Sequence, residues 1–172
     1  MDRPQATPRV LRARPLSRNA FEPFGEVLDA SGPYDGLANG DAAQIFRDRA
    51  TLDVAELGGR ARVNIVRTAP TRLPLMLELM ERHPLSSQAF APLSNAGWLI
   101  IAAPPGPLDP AAIVAFHAAG DQGINYRRGV WHHPLIALDR ISDFLVIDRA
   151  GEGTNLDIER LGEPLLIESL AP

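Results

Sequence analysis

Short apolar runs separated by turn formers set the rhythm of this chain. They fall at 10–13, 26–29, 43–46, 61–67, 75–83, 88–92, 97–103, 113–117, 135–138, 144–148 and 165–168. Many short strands at such spacing predict an all-β sandwich or barrel. Helical signals are few. Ser17 is placed to cap a turn running through Phe21, and Asp109 with Pro110 makes a helix start. The run 75–83 is ambiguous, because Leu, Met and Glu are good helix formers. Its leucines at 75, 77 and 79 nevertheless alternate with Met76, Glu78 and Met80. Period two reads as a strand. Leu77, Leu79, Glu81 and His83 would then share one face, with Glu81 and His83 inside a barrel near its mouth.

Composition narrows the classes. Residues 1–172 suit one domain with a sizeable core. A hydrophobic fraction of 45 % and a charged fraction of 22 % are those of a globular protein. The net charge of −4 speaks against a nucleic-acid partner. The longest apolar stretch, 98–103, is too short to span a bilayer. No apolar signal-peptide region precedes Val10, so a cytoplasmic location is expected. There is no cysteine and no lysine. That excludes disulfides, thiolate ligands, a Schiff-base lysine and a P-loop lysine. An anion must be held by Arg, backbone N–H groups or a metal.

The densest chemistry lies in Gly123-Ile-Asn-Tyr-Arg-Arg-Gly-Val-Trp-His-His-Pro134. Gly123, Gly129 and Pro134 favour a bent, extended path. Adjacent side chains on an extended segment point to opposite faces. One of His132 and His133 can therefore enter a pocket while the other supports it. Imidazole both titrates near neutral pH and ligates metals. Glu81, His83 and Gln88 fall at relative positions 1, 3 and 8. Each has a plainer reading. His83 can close a turn before Pro84, Glu81 and Arg82 can form a solvated pair, and Gln88 can satisfy a barrel interior. Asp148 and Arg149 read as a structural ion pair, and Trp131 and Phe90 as core or pocket wall.

The spacing of Glu81, His83 and Gln88, with Gly129-Val-Trp-His132, resembles the two metal-binding motifs of the cupin superfamily. Those are usually His-x-His followed by Glu, and Gly-x-x-His. The resemblance implies an antiparallel β-barrel of the double-stranded β-helix type. Glu81, His83, Gln88 and His132 would converge on a divalent metal there. Glu81 stands where a His is usual, Gln88 where a Glu is usual, and Arg127 where a Pro is common. Oxygen and imidazole ligands together suit Ni, Mn, Fe or Zn, although a neutral amide is a weak ligand.

A longer resemblance covers nearly the whole chain. Pro15-Leu-Ser, Glu81-Arg-His-Pro-Leu-Ser-Ser-Gln-Ala-Phe-Ala-Pro92, Gly123-Ile-Asn-Tyr126, Gly129-Val-Trp-His-His-Pro-Leu135 and Asp143-Phe-Leu-Val-Ile-Asp-Arg149 resemble the ureidoglycolate lyase family. The resemblance implies elimination of urea from ureidoglycolate to give glyoxylate, within allantoin and purine degradation. It also implies a homodimer and a divalent metal, nickel by preference. An open barrel edge near either terminus would be suited to pairing across a two-fold axis. Ile45 departs from the family, where an Arg is expected before Phe46.

Elimination needs a base for the hydroxyl proton and an acid for the departing nitrogen. His132 or His133 is the expected base, with Glu81 as the runner-up. A buried Glu81 with a raised pKa would serve as the acid. The substrate carboxylate is expected on Arg67 or Arg128, and the urea end on Asn64 and Tyr126. An amidohydrolase on the same substrate would release ammonia instead, and normally needs a strong, often two-metal site. A non-catalytic cupin binding a small carboxylate is the reading from another class, since fold alone does not fix function.

Overall fold

The structure is a computed structural model that describes residues 8–170. Residues 1–7 and 171–172, part of the expected single domain, lie outside the described residues. The strands are β1 (Arg9–Pro15), β2 (Gly25–Leu28), β3 (Gly36–Ala38), β4 (Ala43–Ile45), β5 (Arg60–Thr68), β6 (Leu75–Arg82) and β7 (Gln88–Pro92). They continue as β8 (Trp98–Ala103), β9 (Val114–Ala118), β10 (Gly123–Tyr126), β11 (Trp131–His132), β12 (Ile136–Ala137), β13 (Ser142–Ala150) and β14 (Asp157–Leu170). One helical turn, α1 (Arg18–Phe21), follows its cap, Ser17, whose Oγ accepts from the Ala20 N–H. Asp109 likewise caps a single 3-10 turn at Pro110–Ala112.

One sheet runs β11-β6-β14-β1-β9-β8-β12, and a further β11–β8 pairing closes six of these strands into a barrel. The pairing is antiparallel except at β1, which lies parallel to both β14 and β9. A second sheet, β2-β10-β7-β13-β5, packs against the closed sheet. The fold is thus all-β and contains a closed barrel, one of the two architectures expected from the strand pattern. The strands β1 and β14 are interior members of their sheet, so the terminal edges expected to be open are covered. The long open edge belongs to β5 instead.

β8 is buried along its whole length, because its two faces feed two cores. Trp98, Ile100 and Ala102 meet Phe90, Phe116, Phe144 and Val146 between the sheets. Leu99, Ile101 and Ala103 meet Leu77, Met80, Trp131 and Ile167 inside the closed barrel. A continuous apolar run is the sequence signature of such two-sided burial. The approach of β2 to β10 requires glycine. A Cβ on Gly25 would sit 1.9 Å from the Asn125 carbonyl oxygen.

The run 75–83 is a strand, but its alternation breaks. Leu77 and Met80 both enter the barrel core, three positions apart. Opposite them β14 shifts register between Arg160 and Leu165. The irregularity turns Glu81 away from the core that takes Met80. The single face expected to hold Leu77, Leu79, Glu81 and His83 therefore does not exist. No helix among the described residues is long and apolar enough to cross a membrane.

Candidate metal centre

Glu81 lies at the end of β6 directly opposite His132 of β11, and His132 lies opposite Ala102 of β8. Ala102 faces the space between the sheets, so Glu81 and His132 face it too. Trp131, one residue earlier, points the other way into the barrel core. Strand alternation thus decides which of the residues near the Gly129–Pro134 bend enters the cavity. His132 is 1 % exposed and stacks on Tyr126, ring centroids 4.3 Å apart. His83 follows β6 and comes within 5.2 Å of the His132 ring, centroid to centroid.

Glu81, His83 and His132 each offer a ligand atom, and these atoms all lie within 4.8 Å of one another. Backbone carbonyls set both imidazoles. His83 Nδ1 lies 2.7 Å from the Asn155 carbonyl oxygen, and His132 Nδ1 lies 3.0 Å from that of Val130. A carbonyl only accepts, so each Nδ1 carries a proton, and in a neutral ring each Nε2 then presents a lone pair. Both Nε2 atoms are buried without a hydrogen-bond partner, and so is Gln88 Oε1. Glu81 Oε1 stands 3.5 Å from His132 Nε2. Buried lone pairs without donors are costly unless something electropositive satisfies them. Two imidazole nitrogens, a carboxylate and an amide oxygen brought together in this way fit one divalent cation.

Electrostatics agree with that chemistry. Burial lowers the His83 pKa, and the neighbouring His132 adds to the effect. Burial lowers that of His133 too. Both rings are therefore held neutral, the form a metal or a proton acceptor needs. Burial alone would raise the Glu81 pKa, but the neighbouring imidazoles, His132 foremost and then His83 and His133, bring it below its usual range. This corrects the expectation of a raised pKa: Glu81 is an ionised carboxylate at neutral pH and not a store of acid protons. Burial also pushes the Tyr126 phenol well above its ordinary range.

The remaining expected site residues are placed unevenly. Gln88 belongs to the cluster, near His83, with its Oε1 buried and unpaired. His133 is partly buried beside Glu81, with its Nδ1 2.8 Å from the Pro134 carbonyl oxygen. Asn64 lies opposite the core residue Val146 and donates to Asp148 Oδ1 at 3.2 Å, on the cavity side of β5. Arg67 projects from the other face, in a two-pronged pair with Asp143 at 2.7 and 2.8 Å. Arg128 is engaged by Asp53 at 2.8 and 2.7 Å and by Glu56 at 2.7 Å. The Arg67 guanidinium does not reach the cavity. Ile45 pairs with Gly36 in the β3–β4 hairpin.

Three further details escape sequence reasoning. Asp148 bonds Arg62 and Asn64, while Arg149 donates to the Glu56 carbonyl, so the expected Asp148–Arg149 pair does not form. Arg82 leaves Glu81 to pair with Asp157 and lies over the Trp131 ring at 4.5 Å. Asn155 orients His83 through its carbonyl and pins the 83–86 turn through its side chain. Asn155 lies 72 positions beyond His83, and no spacing rule signals a backbone acceptor at that distance.

Comparison with known proteins sets these residues in a lineage. The model of the ureidoglycolate lyase family matches residues 8–168. A protein of Burkholderia mallei (strain NCTC 10229) named ureidoglycolate lyase is 47 % identical over 157 residues, covering 91 % of this chain and 92 % of its own. The protein of that name from Rhizobium etli (strain ATCC 51251) is 43 % identical over 165 residues, covering 96 % and 99 %. The one from Pseudomonas entomophila (strain L48) is 42 % identical over 150 residues, covering 87 % and 90 %. Among solved structures, RmlC from Streptococcus suis in complex with dTDP-D-xylose aligns with a TM-score of 0.48 at 12 % identity, covering 86 % of this chain and 73 % of that one. With a family model spanning nearly its whole length and relatives above 40 % identity, the chain belongs to the ureidoglycolate lyase family.

Proposed function

We propose that this protein is a ureidoglycolate lyase that eliminates urea from ureidoglycolate to leave glyoxylate, as a step of allantoin degradation in the cytoplasm. The observation that carries the reading is the pair of buried, unpartnered Nε2 atoms on His83 and His132, aimed with Glu81 and Gln88 at one point. A divalent metal is held there by Glu81, His83, His132 and the weaker Gln88, nickel being the preferred ion. When bound, such an ion acts as a Lewis acid that lowers the pKa of a hydroxyl.

The chain's own residues then divide the work. The Asn155 and Val130 carbonyls turn His83 Nε2 and His132 Nε2 toward the metal site, which leaves neither free as the base. That role passes to His133, whose ring is held neutral by burial and lies within electrostatic reach of the ionised Glu81. Its Nε2 takes the hydroxyl proton as the new C=O forms. The C–N bond breaks, its electron pair stays on the urea nitrogen, and the proton returns there. Tyr126, stacked on His132, keeps water from that ring and stays a neutral phenol, able to donate but not to act as a base. Asn64, on the same side of the sheet, is available to the urea end.

A glyoxylate assay with chelator and metal add-back tests the reading. Chelation is expected to stop turnover and nickel to restore it, with urea and not ammonia as co-product. His132→Ala is expected to abolish glyoxylate release in a chain that still folds. Undiminished turnover in that variant would remove His132 from the reaction. The protein is further proposed to work as a homodimer.

A further inference from the structure

The cavity side of the second sheet changes character from one row of side chains to the next. Residues directly opposed on paired strands share a face. One row across β10, β7, β13 and β5 holds Ile124, Phe90, Val146 and Asn64, and the first three of these fill the core between the sheets. The row beside it holds Tyr126, Gln88, Asp148 and Arg62. Asp148 takes its place there as the position after Ile147, which opposes Ala89. The apolar packing thus gives way to polar groups at the level of Gln88, a member of the metal cluster. Asp148 stands one strand beyond Gln88, a spacing of about 4.8 Å.

The Asp148 side chain is only 18 % exposed. A carboxylate in such a place is costly unless it is paired. Arg62 Nε donates to Oδ1 and Arg62 Nη2 to Oδ2, each at 2.9 Å, and Asn64 Nδ2 donates to Oδ1 at 3.2 Å. A carboxylate has about four acceptor positions. Three are used, two on Oδ1 and one on Oδ2, so Oδ2 keeps one. Asn64 turns its Nδ2 to Asp148, and among the described residues nothing donates to its Oδ1. Two acceptors therefore lie together on the cavity side, held by a guanidinium fork. The Arg67–Asp143 pair on the same two strands has the same two-pronged geometry but lies on the outer face, with no amide beside it.

We infer that Asp148 and Asn64 form the subsite that selects the ureido group of the substrate. Asp148 Oδ2 and Asn64 Oδ1 accept the two N–H bonds of its terminal nitrogen, and Arg62 is the positioning residue that holds the carboxylate. The inference rests on the lyase reading above and names what separates this substrate from other α-hydroxy acids. The reach is adequate. A planar ureido group spans about 3.8 Å from the reacting carbon to the terminal nitrogen, as a trans peptide does between α-carbons. A hydrogen bond of about 2.9 Å carries it past one strand spacing. The terminal nitrogen takes no part in the bond that breaks, so this contact is the same before and in the transition state. Its loss raises KM and leaves kcat unchanged.

The test uses two ligands titrated calorimetrically into the chain with nickel added. N-carbamoylglycine carries the carboxylate and the ureido group but no hydroxyl to react. Glycolate carries the carboxylate and hydroxyl but no ureido group. The wild type is expected to bind N-carbamoylglycine more tightly than glycolate. In Asp148→Asn the amide oxygen stays with Arg62, and the end facing the ligand becomes a donor. That variant is expected to weaken N-carbamoylglycine by about 10–100-fold, the scale of a hydrogen bond to a charged group, and to leave glycolate unchanged. KM for ureidoglycolate should rise with it at constant kcat. Asn64→Ala keeps the Arg62–Asp148 pair and should weaken N-carbamoylglycine by about 2–10-fold, again with glycolate unchanged, which keeps the subsite testable should Asp148→Asn not fold. A wild type that binds the two ligands alike, or variants that weaken both equally, would overturn the subsite. Glyoxylate release is measured separately. A wild type that holds N-carbamoylglycine through Asp148 yet releases no glyoxylate from ureidoglycolate would sink the lyase reading and leave the subsite standing.

Discussion

The orientation of His83 hangs on a residue far from it in sequence, and removing that support makes a sharp prediction. Asn155 Oδ1 accepts from the Leu85 N–H at 2.8 Å, and its Nδ2 donates to Ser86 Oγ at 2.9 Å. These bonds tie the loop after β13 to the turn after β6. The same residue's carbonyl then meets His83 Nδ1. Asn155→Ala deletes both side-chain bonds. At about 0.5–1.5 kcal/mol net for each neutral, partly buried bond, the loss is about 1–3 kcal/mol. For a chain of this size that corresponds to a Tm lower by about 2–12 °C. The carbonyl loses its anchor as well. Groups that orient a ligating histidine typically contribute about 10–100-fold in metal affinity. The expected outcome is a modest fall in Tm by calorimetry and a fall of that order in nickel affinity by titration calorimetry. Glu152→Ala, an exposed change in the same loop, should do neither. A fall in Tm with unchanged nickel affinity would refute the argument that this carbonyl presents Nε2 to the ion.

Two further outcomes follow from the electrostatics. His83 and His133 have folded pKa values below the 6.5 of an unperturbed imidazole. Below 6.5 the unfolded chain takes up more protons, so stability falls with pH from there down through the folded values. The depressed Glu81 contributes above 4.5 and loses that contribution as pH falls through its own folded value. Urea unfolding at pH 8 and pH 5.5 should therefore show a lower midpoint at the acid end, and a higher one would contradict the assignment of neutral rings. Arg67→Ala should leave glyoxylate release near the wild-type rate, because the side chain pairs with Asp143 on the face away from the cavity. A loss as deep as that of His132→Ala would return Arg67 to the site.

Much of this architecture was legible in the chain. Apolar runs between turn formers place most strands within a few residues, and Ser17 and Asp109 cap the turns expected of them. The strands that pattern reading passes over are short or atypical. β10 is buried throughout but contains Asn125 and Tyr126, and β11 has only two residues. Their polarity conceals their burial. The Asn125 amide nitrogen donates to Glu26 and to the Thr51 carbonyl, which a local pattern does not show. The candidate metal ligands Glu81, His83, Gln88 and His132 were legible by spacing. The arginines were not, because a guanidinium is claimed by whichever carboxylate its strand partner supplies. Asp143 lies opposite Arg67 and Asp148 opposite Arg62 only once β5 and β13 are in register.

Why spacing succeeded at Glu81 although the face argument failed is a matter of range. Period two from Leu77 would put Glu81 with the apolar core, and the irregularity opposite β14 breaks that period before Glu81 is reached. The short interval from Glu81 to His83 survives because it lies beyond the break. Their approach to His132 depends on β11, which lies opposite Glu81 on one side and Ala102 on the other. β11 is also one of the strands whose pairings close the barrel. Closure and convergence are thus one event. A change that opens the β11–β8 pairing should scatter the ligands before it melts either core.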